Sequence, residues 1–189
     1  MENSLSSARI NRTKLEIVQG DITREDVDAI VNAANSSLLG GGGVDGAIHR
    51  AAGPQLLAET RQLGGCQTGD AKISGGYNLK ARHVIHTVGP VYRPGDTTAP
   101  QLLTSAYRRS LEVALENGIR RIAFPCISTG AYGYPSEEAA AIAVQTVCAF
   151  VNQQEQITEV HFVVFSEPIY TTYIHMLQRV AATYGHRPA

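Results

Sequence analysis

Three polar side chains surround a run of glycines in the first third of the chain. Asn35 precedes the run Gly40–Gly43, and Asp45 and His49 follow it. Because residues four apart lie on one face of a helix, Asp45 and His49 share a face if a helix begins here. Glycine backbone lets a ligand approach closely, and its N–H groups suit an anion, most often a phosphate. We therefore interpret this stretch as a ligand site that holds a phosphate beside three polar groups.

The elements on either side of the glycines support this interpretation. Ala29–Val31 is short, apolar and β-branched, which predicts a buried strand. Apolar residues recur at helical spacing from Val44 to Ala52. The glycines then lie between the carboxyl end of a strand and the positive amino end of a helix dipole, where an anion is stabilised. A glycine run by itself also fits a flexible connector, and the neighbouring polar residues favour the ligand site.

Length and charge limit the class of protein. A chain of 189 residues with 43% hydrophobic and 17% charged residues fits one domain, which we expect at 13–189 after a flexible tail at 1–12. The net charge is -1 and the pI is about 6.6, whereas proteins that bind a nucleic-acid backbone usually carry a basic face. A small nucleotide-like ligand is therefore expected, and nucleic acid is not expected as a partner.

Cysteine content and hydropathy indicate the compartment. Cys66, Cys126 and Cys148 are odd in number and form no C-x-x-C pair, so a disulfide framework is not expected. Met1–Arg12 lacks the apolar segment of a secretory signal, and no stretch approaches the ~20 apolar residues that span a bilayer. We expect a cytoplasmic protein without a membrane partner.

Strands and helices alternate along the chain, which predicts the fold class. Arg121–Pro125 and Glu159–Phe165 are continuous apolar strands, each separated from the next element by a turn or loop. Such strands lie in a sheet covered on both faces, so we predict a three-layer α/β/α sandwich. The glycine run and the loop Ser128–Tyr134 both follow strands and precede helices. They are therefore expected to meet at the carboxyl edge of the sheet, the usual ligand crevice of such folds.

Four motifs in the chain are specific enough to indicate a family. They are Gly20–Ile22, Val31–Asn35, Gly40–His49 and Ile127–Pro135. In this order the motifs resemble the macrodomains, and within them the MacroD-type branch of ADP-ribose hydrolases, which includes O-acetyl-ADP-ribose deacetylases. The resemblance extends from about residue 14 to the final helix. It implies a mixed, mostly parallel central sheet between helices, in agreement with the predicted sandwich.

The resemblance also implies a role for each candidate site residue. Asp21 accepts the adenine amino group, Ile22 adds a backbone contact, and Phe165 packs against the base. Two loops contact the phosphates of ADP-ribose, and their residues are Gly42, Gly43, Val44, Ser128, Thr129, Gly130, Ala131 and Tyr132, the last near the distal ribose. The residues around the distal ribose, where the chemistry occurs, are Asn35, Asp45 and His49. Taken alone, Asp21 also fits an ordinary turn or capping residue.

The activity implied by the resemblance is removal of an acyl-type group from ADP-ribose. Substrates are O-acetyl-ADP-ribose and proteins that carry mono-ADP-ribose on Asp or Glu. A free aspartate titrates near ~3.9 and is a weak base at neutral pH, so Asp45 is expected to position the attacking water or to act as base beside the substrate diphosphate. The amide of Asn35 aligns a ribose hydroxyl, and His49 orients Asp45 or the ribose, or is purely structural. Attack on the acyl carbon and attack on the anomeric carbon both remain open.

A second function class is a reader, a macrodomain that binds ADP-ribose without hydrolysing its conjugates. A reader shares Asp21 and the two loops with a hydrolase. The residues that distinguish the two classes are Asn35, Asp45 and His49, and this chain carries all three. We therefore expect a hydrolase.

No metal or cofactor is expected. His83 and His86 are three apart on a predicted strand, so they point to opposite faces and make a poor metal pair. We expect one of them to be solvated and the other to be satisfied within the core. No pair of carboxylates is expected to be placed for a cation, and the glycine run lacks the Lys-Ser/Thr pair that holds a terminal phosphate and Mg²⁺.

Overall fold

A computed structural model of the protein describes residues 5–185, which form seven strands and five α-helices. The strands are β1 Ser7–Ile10, β2 Thr13–Gln19, β3 Ala29–Ala33, β4 Ala71–Gly75, β5 His83–Thr87, β6 Arg121–Phe124 and β7 Glu159–Val164. The helices are α1 Gly43–Ala52, α2 Pro54–Gln62, α3 Ala99–Glu116, α4 Ser136–Val151 and α5 Glu167–Ala182. A short 3-10 helix, Ile22–Arg24, follows β2. No helix of residues 5–185 is long and apolar enough to cross a membrane.

The seven strands form one mixed sheet in the order β1-β2-β7-β6-β3-β5-β4. The five central strands run parallel, whereas β1 pairs antiparallel with β2 and β4 pairs antiparallel with β5 at the two edges. Parallel pairing requires crossover helices, and these cover the faces of the sheet. The structure confirms the predicted fold class, a mixed and mostly parallel sheet between helices.

Alternate residues of the central strands enter two separate apolar layers. Val31 of β3 and Ile85 of β5 pack into a large cluster that also contains residues of α3, α4 and α5. Their neighbours Ile30 and Val84 point the other way, into a smaller cluster with Ile48 of α1 and residues of α2. Because successive side chains of a strand point to opposite faces, strands apolar at every position are explained by a sheet covered on both sides.

Part of the segment expected to be a flexible tail forms a strand. Ser7–Ile10, placed in a flexible tail at 1–12, forms β1 and pairs with β2, with Ala8 opposite Leu15. Ala8 and Ile10 are buried, since their alternation puts both on the covered face of the sheet. The expectation is wrong for these residues because pairing with a neighbouring strand orders a segment that has little apolar content of its own. Residues 1–4 lie outside the described part of the chain.

Candidate active site

A cleft of about 330 Å³ opens at the carboxyl edge of the sheet, between the loops that follow β3 and β6. Its lining includes these residues expected in the site: Asn35, Gly42, Gly43, Val44, Asp45, Ser128, Gly130, Ala131 and Tyr132. Ala33, Ala34, Gly41, Gly89, Cys126 and Ile127 complete the lining. The two loops therefore meet where the sandwich predicts a ligand crevice.

The first loop is closed by the side chain of Asn35. Its Nδ2 donates to the carbonyl of Gly40 at 2.9 Å, and its Oδ1 accepts from the backbone N–H of Ser37 at 3.2 Å and from the Ser37 hydroxyl at 2.6 Å. This amide fixes the glycine run immediately before α1 begins at Gly43. The same Nδ2 carries a second N–H besides the one directed to Gly40.

The second loop contains a residue in the left-handed region. Ser128 has φ +68°, is 6% exposed, and its buried Oγ has no hydrogen-bond partner among the described residues. Its carbonyl accepts from the N–H of Tyr134 at 2.9 Å, and the hydroxyl of buried Tyr107 accepts from the N–H of Ile127 at 3.3 Å. A strained backbone held by several contacts at the rim of a cleft is typical of a ligand-binding loop.

Asp45 lines the cleft and is only 5% exposed. Its Oδ1 accepts a hydrogen bond from Asn32 Nδ2 at 2.9 Å and lies 3.4 Å from Nε2 of His49. A side chain built on Gly41 would put its Cβ 3.1 Å from the other oxygen, Oδ2. Two neighbours therefore hold Oδ1, and glycine at position 41 leaves space beside Oδ2.

His49 contacts Asp45 from within α1 and does not line the cleft in the described structure. The imidazole is close enough to orient the carboxylate, which is one of the roles expected for it. Asn32, in contrast, belongs to a motif singled out in the sequence, but its contact with Asp45 was not predicted. The amide of Asn32 reaches the carboxylate of Asp45 only because α1 packs against β3.

The buried histidine His86 extends this polar group into the core. Its Nδ1 lies 3.1 Å from Asn32 Nδ2, and its Nε2 lies 2.8 Å from the hydroxyl of Ser74. Burial, with a smaller contribution from the neighbouring His49, lowers the pKa of His86 to about 3, so the ring is neutral. His86 is thus satisfied within the core, as expected for one of the two strand histidines, while His83 is only partly buried.

The residues expected to hold adenine are not among those that line this cleft. Asp21 lies two residues after the end of β2, and Phe165 directly follows β7. The ends of these neighbouring strands are joined by a 3.0 Å hydrogen bond from the N–H of Gly20 to the carbonyl of Val164. Phe165 is 90% exposed, so no part of the described protein covers its ring. Ile22, next to Asp21, begins the 3-10 helix and is buried.

Asp21 also caps this 3-10 helix. Its Oδ1 accepts from the N–H of Thr23 at 2.9 Å and from the Thr23 hydroxyl at 2.7 Å. These hydrogen bonds, assisted by the charge of Arg24, lower the pKa of Asp21 despite a small opposing effect of burial. The capping interpretation left open by the sequence is therefore correct. Thr129, the remaining loop residue, donates its hydroxyl to the carbonyl of Cys126 at 3.3 Å and lies outside the cleft lining.

A separate cluster of charged residues lies on β2 and β7. Glu16, Glu159 and His161 have ligand atoms within 4.8 Å of one another, contrary to the expectation that no carboxylates are placed together for a cation. The parallel register puts Glu16 opposite His161, which the sequence does not reveal. His161 bonds Glu159 at 2.6 Å and Glu25 at 3.2 Å, and Arg121 bonds Glu159 at 3.1 Å. Cationic side chains thus already balance these carboxylates.

A mixed α/β/α sandwich whose carboxyl edge carries two glycine-containing loops around a cleft is the architecture of a macrodomain. The model of the family described as Macro domain matches residues 31–143, which is more than half of the chain. The chain belongs to the macrodomain family.

Two relatives whose names state an activity are similar to most of this chain. ADP-ribose glycohydrolase MACROD2 of Xenopus laevis is 59% identical over 162 residues, which are 85% of this chain and 39% of that protein. The O-acetyl-ADP-ribose deacetylase of Cronobacter sakazakii is 51% identical over 179 residues, which are 93% of this chain and 97% of that protein. The chain therefore spans less than half the length of MACROD2 but nearly all of the bacterial relative.

Solved structures support the same relationship. The Oceanobacillus iheyensis macrodomain with ADP superimposes with a TM-score of 0.90 at 44% sequence identity, covering 94% of this chain and 96% of that one. That structure agrees with this chain in fold over almost the entire length of both.

Proposed function

We propose that this chain binds ADP-ribose and hydrolyses its acyl conjugates, acting as an ADP-ribosyl ester hydrolase. The substrates are O-acetyl-ADP-ribose, which loses its acetyl group, and proteins carrying mono-ADP-ribose on Asp or Glu side chains. One observation carries the proposal: a buried carboxylate, Asp45, lines the cleft with one oxygen held by Asn32 and His49. Binding alone does not require a positioned carboxylate there, since a diphosphate is repelled by it.

The order of the strands supports a pose for ADP-ribose along the carboxyl edge. The ends of β2, β7, β6 and β3 lie side by side, and they carry in turn Asp21, Phe165, the loop 126–132 and the glycine loop with Asn35. Adenine then lies at Asp21, Ile22 and Phe165, the diphosphate lies between the two loops, and the distal ribose lies near Asn35 and Asp45. Backbone N–H groups and the amino end of α1 bind the diphosphate.

The reaction proposed is a water attack that needs no metal. Asp45 holds and orients the water through Oδ2, because Oδ1 is already engaged by Asn32 and His49. The second N–H of the Asn35 amide binds a ribose hydroxyl and aligns the scissile bond. The relatives from Xenopus laevis and Cronobacter sakazakii are named ADP-ribose glycohydrolase and O-acetyl-ADP-ribose deacetylase, and these names support hydrolysis of an ADP-ribose compound. Three free cysteines support a reducing, cytoplasmic location.

A calorimetric titration with ADP-ribose, followed by incubation with O-acetyl-ADP-ribose and product analysis, tests the proposal. Binding together with released acetate is the expected result. Binding without release from either O-acetyl-ADP-ribose or an Asp/Glu-modified protein would identify a reader instead. Absence of binding would contradict the assignment of the cleft itself.

A further inference from the structure

A line of buried polar side chains leads from the far edge of the sheet to the candidate catalytic carboxylate. It runs from Ser74 on β4 through His86 on β5 and Asn32 on β3 to Asp45 on α1. None of the four residues is more than 5% exposed, and Ser74, His86 and Asn32 do not line the cleft. Buried polar groups of this kind are retained only where their hydrogen bonds are specific.

The directions of the hydrogen bonds in this line follow from its Asp45 end. A carboxylate oxygen only accepts, so Asn32 Nδ2 donates to Asp45 Oδ1 at 2.9 Å. The same Nδ2 lies 3.1 Å from Nδ1 of His86, which must then be the acceptor. The proton of the neutral ring is therefore on Nε2, and the Ser74 hydroxyl accepts it at 2.8 Å while it can donate to the carbonyl of Gly75 at 3.1 Å.

The neighbouring side chains of His86 and Asp45 determine the orientation of the Asn32 amide. An amide has nearly the same shape in both orientations, and its neighbours select one of them. Here the two hydrogens of Nδ2 are directed to His86 Nδ1 and to Asp45 Oδ1, while buried Asn32 Oδ1 has no hydrogen-bond partner among residues 5–185. In the reverse orientation the carbonyl oxygen faces the Asp45 carboxylate, which repels it.

We infer that His86 is a positioning residue for hydrolysis, acting through Asn32 to orient the carboxylate of Asp45, and that Ser74 supports it by fixing the ring tautomer. The inference rests on the proposed function. His86 does not line the cleft, so its loss should lower turnover without weakening ADP-ribose binding.

Two side chains of nearly equal shape, asparagine and leucine, distinguish a positioning role of His86 from simple packing. His86→Asn can place a carbonyl oxygen near the position of Nδ1, whereas His86→Leu fills about the same volume without an acceptor. We expect His86→Leu to lower kcat on O-acetyl-ADP-ribose by about tenfold or more, in the range of a lost positioning group. His86→Asn should recover most of that loss, and the dissociation constant for ADP-ribose should be the same for both. Equal kcat values for the two variants would overturn the inference.

A double variant tests whether the effect passes through Asp45. In the Asp45→Ala background, His86→Leu should produce no further loss of rate, because the group that it positions is absent. An additional loss there would assign His86 to packing of the site in general. Ser74→Ala gives an independent measure if a His86 variant does not fold, and it should also reduce kcat without affecting ADP-ribose binding.

The tautomer of His86 can be measured without turnover, from the ¹⁵N chemical shifts of the ring in the wild-type protein. A proton on Nε2 is expected, and a proton on Nδ1 would overturn the inference whatever the activity. If the wild type binds ADP-ribose but releases no acetate, the proposed function fails. If the wild type is active and His86→Asn is as impaired as His86→Leu, only the positioning role of His86 is contradicted.

Discussion

The side chain of Ser128 occupies the space that a side chain on Gly89 would need. A Cβ built on Gly89 would lie 2.6 Å from Cγ2 of Ile127 and still closer to Oγ of Ser128. Gly89 follows β5 and Ser128 follows β6, while β3 lies between these strands in the sheet. The loops beyond β5 and β6 therefore meet over the end of β3, and this contact sets the position of the second loop in the cleft.

Gly89→Ala should displace the second loop. Because the new methyl group overlaps Ile127 and Ser128, the free energy of unfolding should fall by about 1–3 kcal/mol, and ADP-ribose should bind more weakly. Urea denaturation and calorimetry measure the two effects. Gly20→Ala is the matched control, since its Cβ would meet nothing within 4 Å and it should leave stability nearly unchanged. Equal stability of the two variants would contradict the packing described for Gly89.

Asp45→Ala should retain ADP-ribose binding and lose most turnover. The expected fall in kcat is ~10²–10⁴, the usual effect of removing an acid–base or positioning group. Asp45→Asn should be similarly impaired, because it keeps the shape of the side chain but lacks the charge and the second acceptor oxygen. Steady-state kinetics with O-acetyl-ADP-ribose provide the measurement. An undiminished rate in either variant would remove Asp45 from the mechanism.

Substitutions of Asp21 should distinguish its capping role from its proposed contact with adenine. Asp21→Ala removes both the cap on Thr23 and the acceptor for the adenine amino group, so affinity for ADP-ribose should fall. Asp21→Ser retains a capping oxygen but lacks the carboxylate. If the adenine contact is direct, calorimetry will show both variants weakened to a similar extent. Full affinity in the serine variant would mean that Asp21 only shapes the loop.

The stability of the protein should depend on the charge of His161. Burial disfavours the charged ring, but hydrogen bonds and the charges of Glu25 and Glu159 outweigh it and raise the pKa of His161 above its usual value. A group whose pKa is higher in the folded state adds stability below its unfolded pKa of about 6.5 and loses it as the pH rises through the folded value. His161→Gln should therefore lower the Tm more at about pH 6 than at about pH 8.5.

Thermal denaturation at several pH values checks this prediction. Glu159 limits the pH range of this stabilisation on the acid side. Burial opposes its charge, but His161 and Arg121 outweigh burial and lower the pKa of Glu159. The stability that the charged Glu159 adds is therefore lost only as the pH falls below the usual glutamate pKa of about 4.3. A difference in Tm that stays constant across the range would show that the ion pairs of His161 do not contribute to stability.

Local patterns in the sequence were sufficient for the fold class and for the central part of the site. The apolar run of β3, the glycines and the helical spacing after them lie within one short segment, so they predict a strand, a loop and a helix without knowledge of the rest. Asp45 and His49 are close because both lie on α1, which the four-residue spacing already indicates. The second loop was found for the same reason, as a glycine-containing segment between β6 and α4.

Only the tertiary structure decided which distant side chains meet these residues. Asn32 lies opposite His86 because β3 and β5 pair in one parallel register, and Glu16 lies opposite His161 for the same reason on β2 and β7. A shift of one residue would turn each side chain to the opposite face of the sheet. The register of parallel strands is set by how the crossover helices pack on the whole sheet, and no local pattern records it. For this reason the sequence identified the groups in the cleft, whereas the buried line behind Asp45 emerged only from the assembled fold.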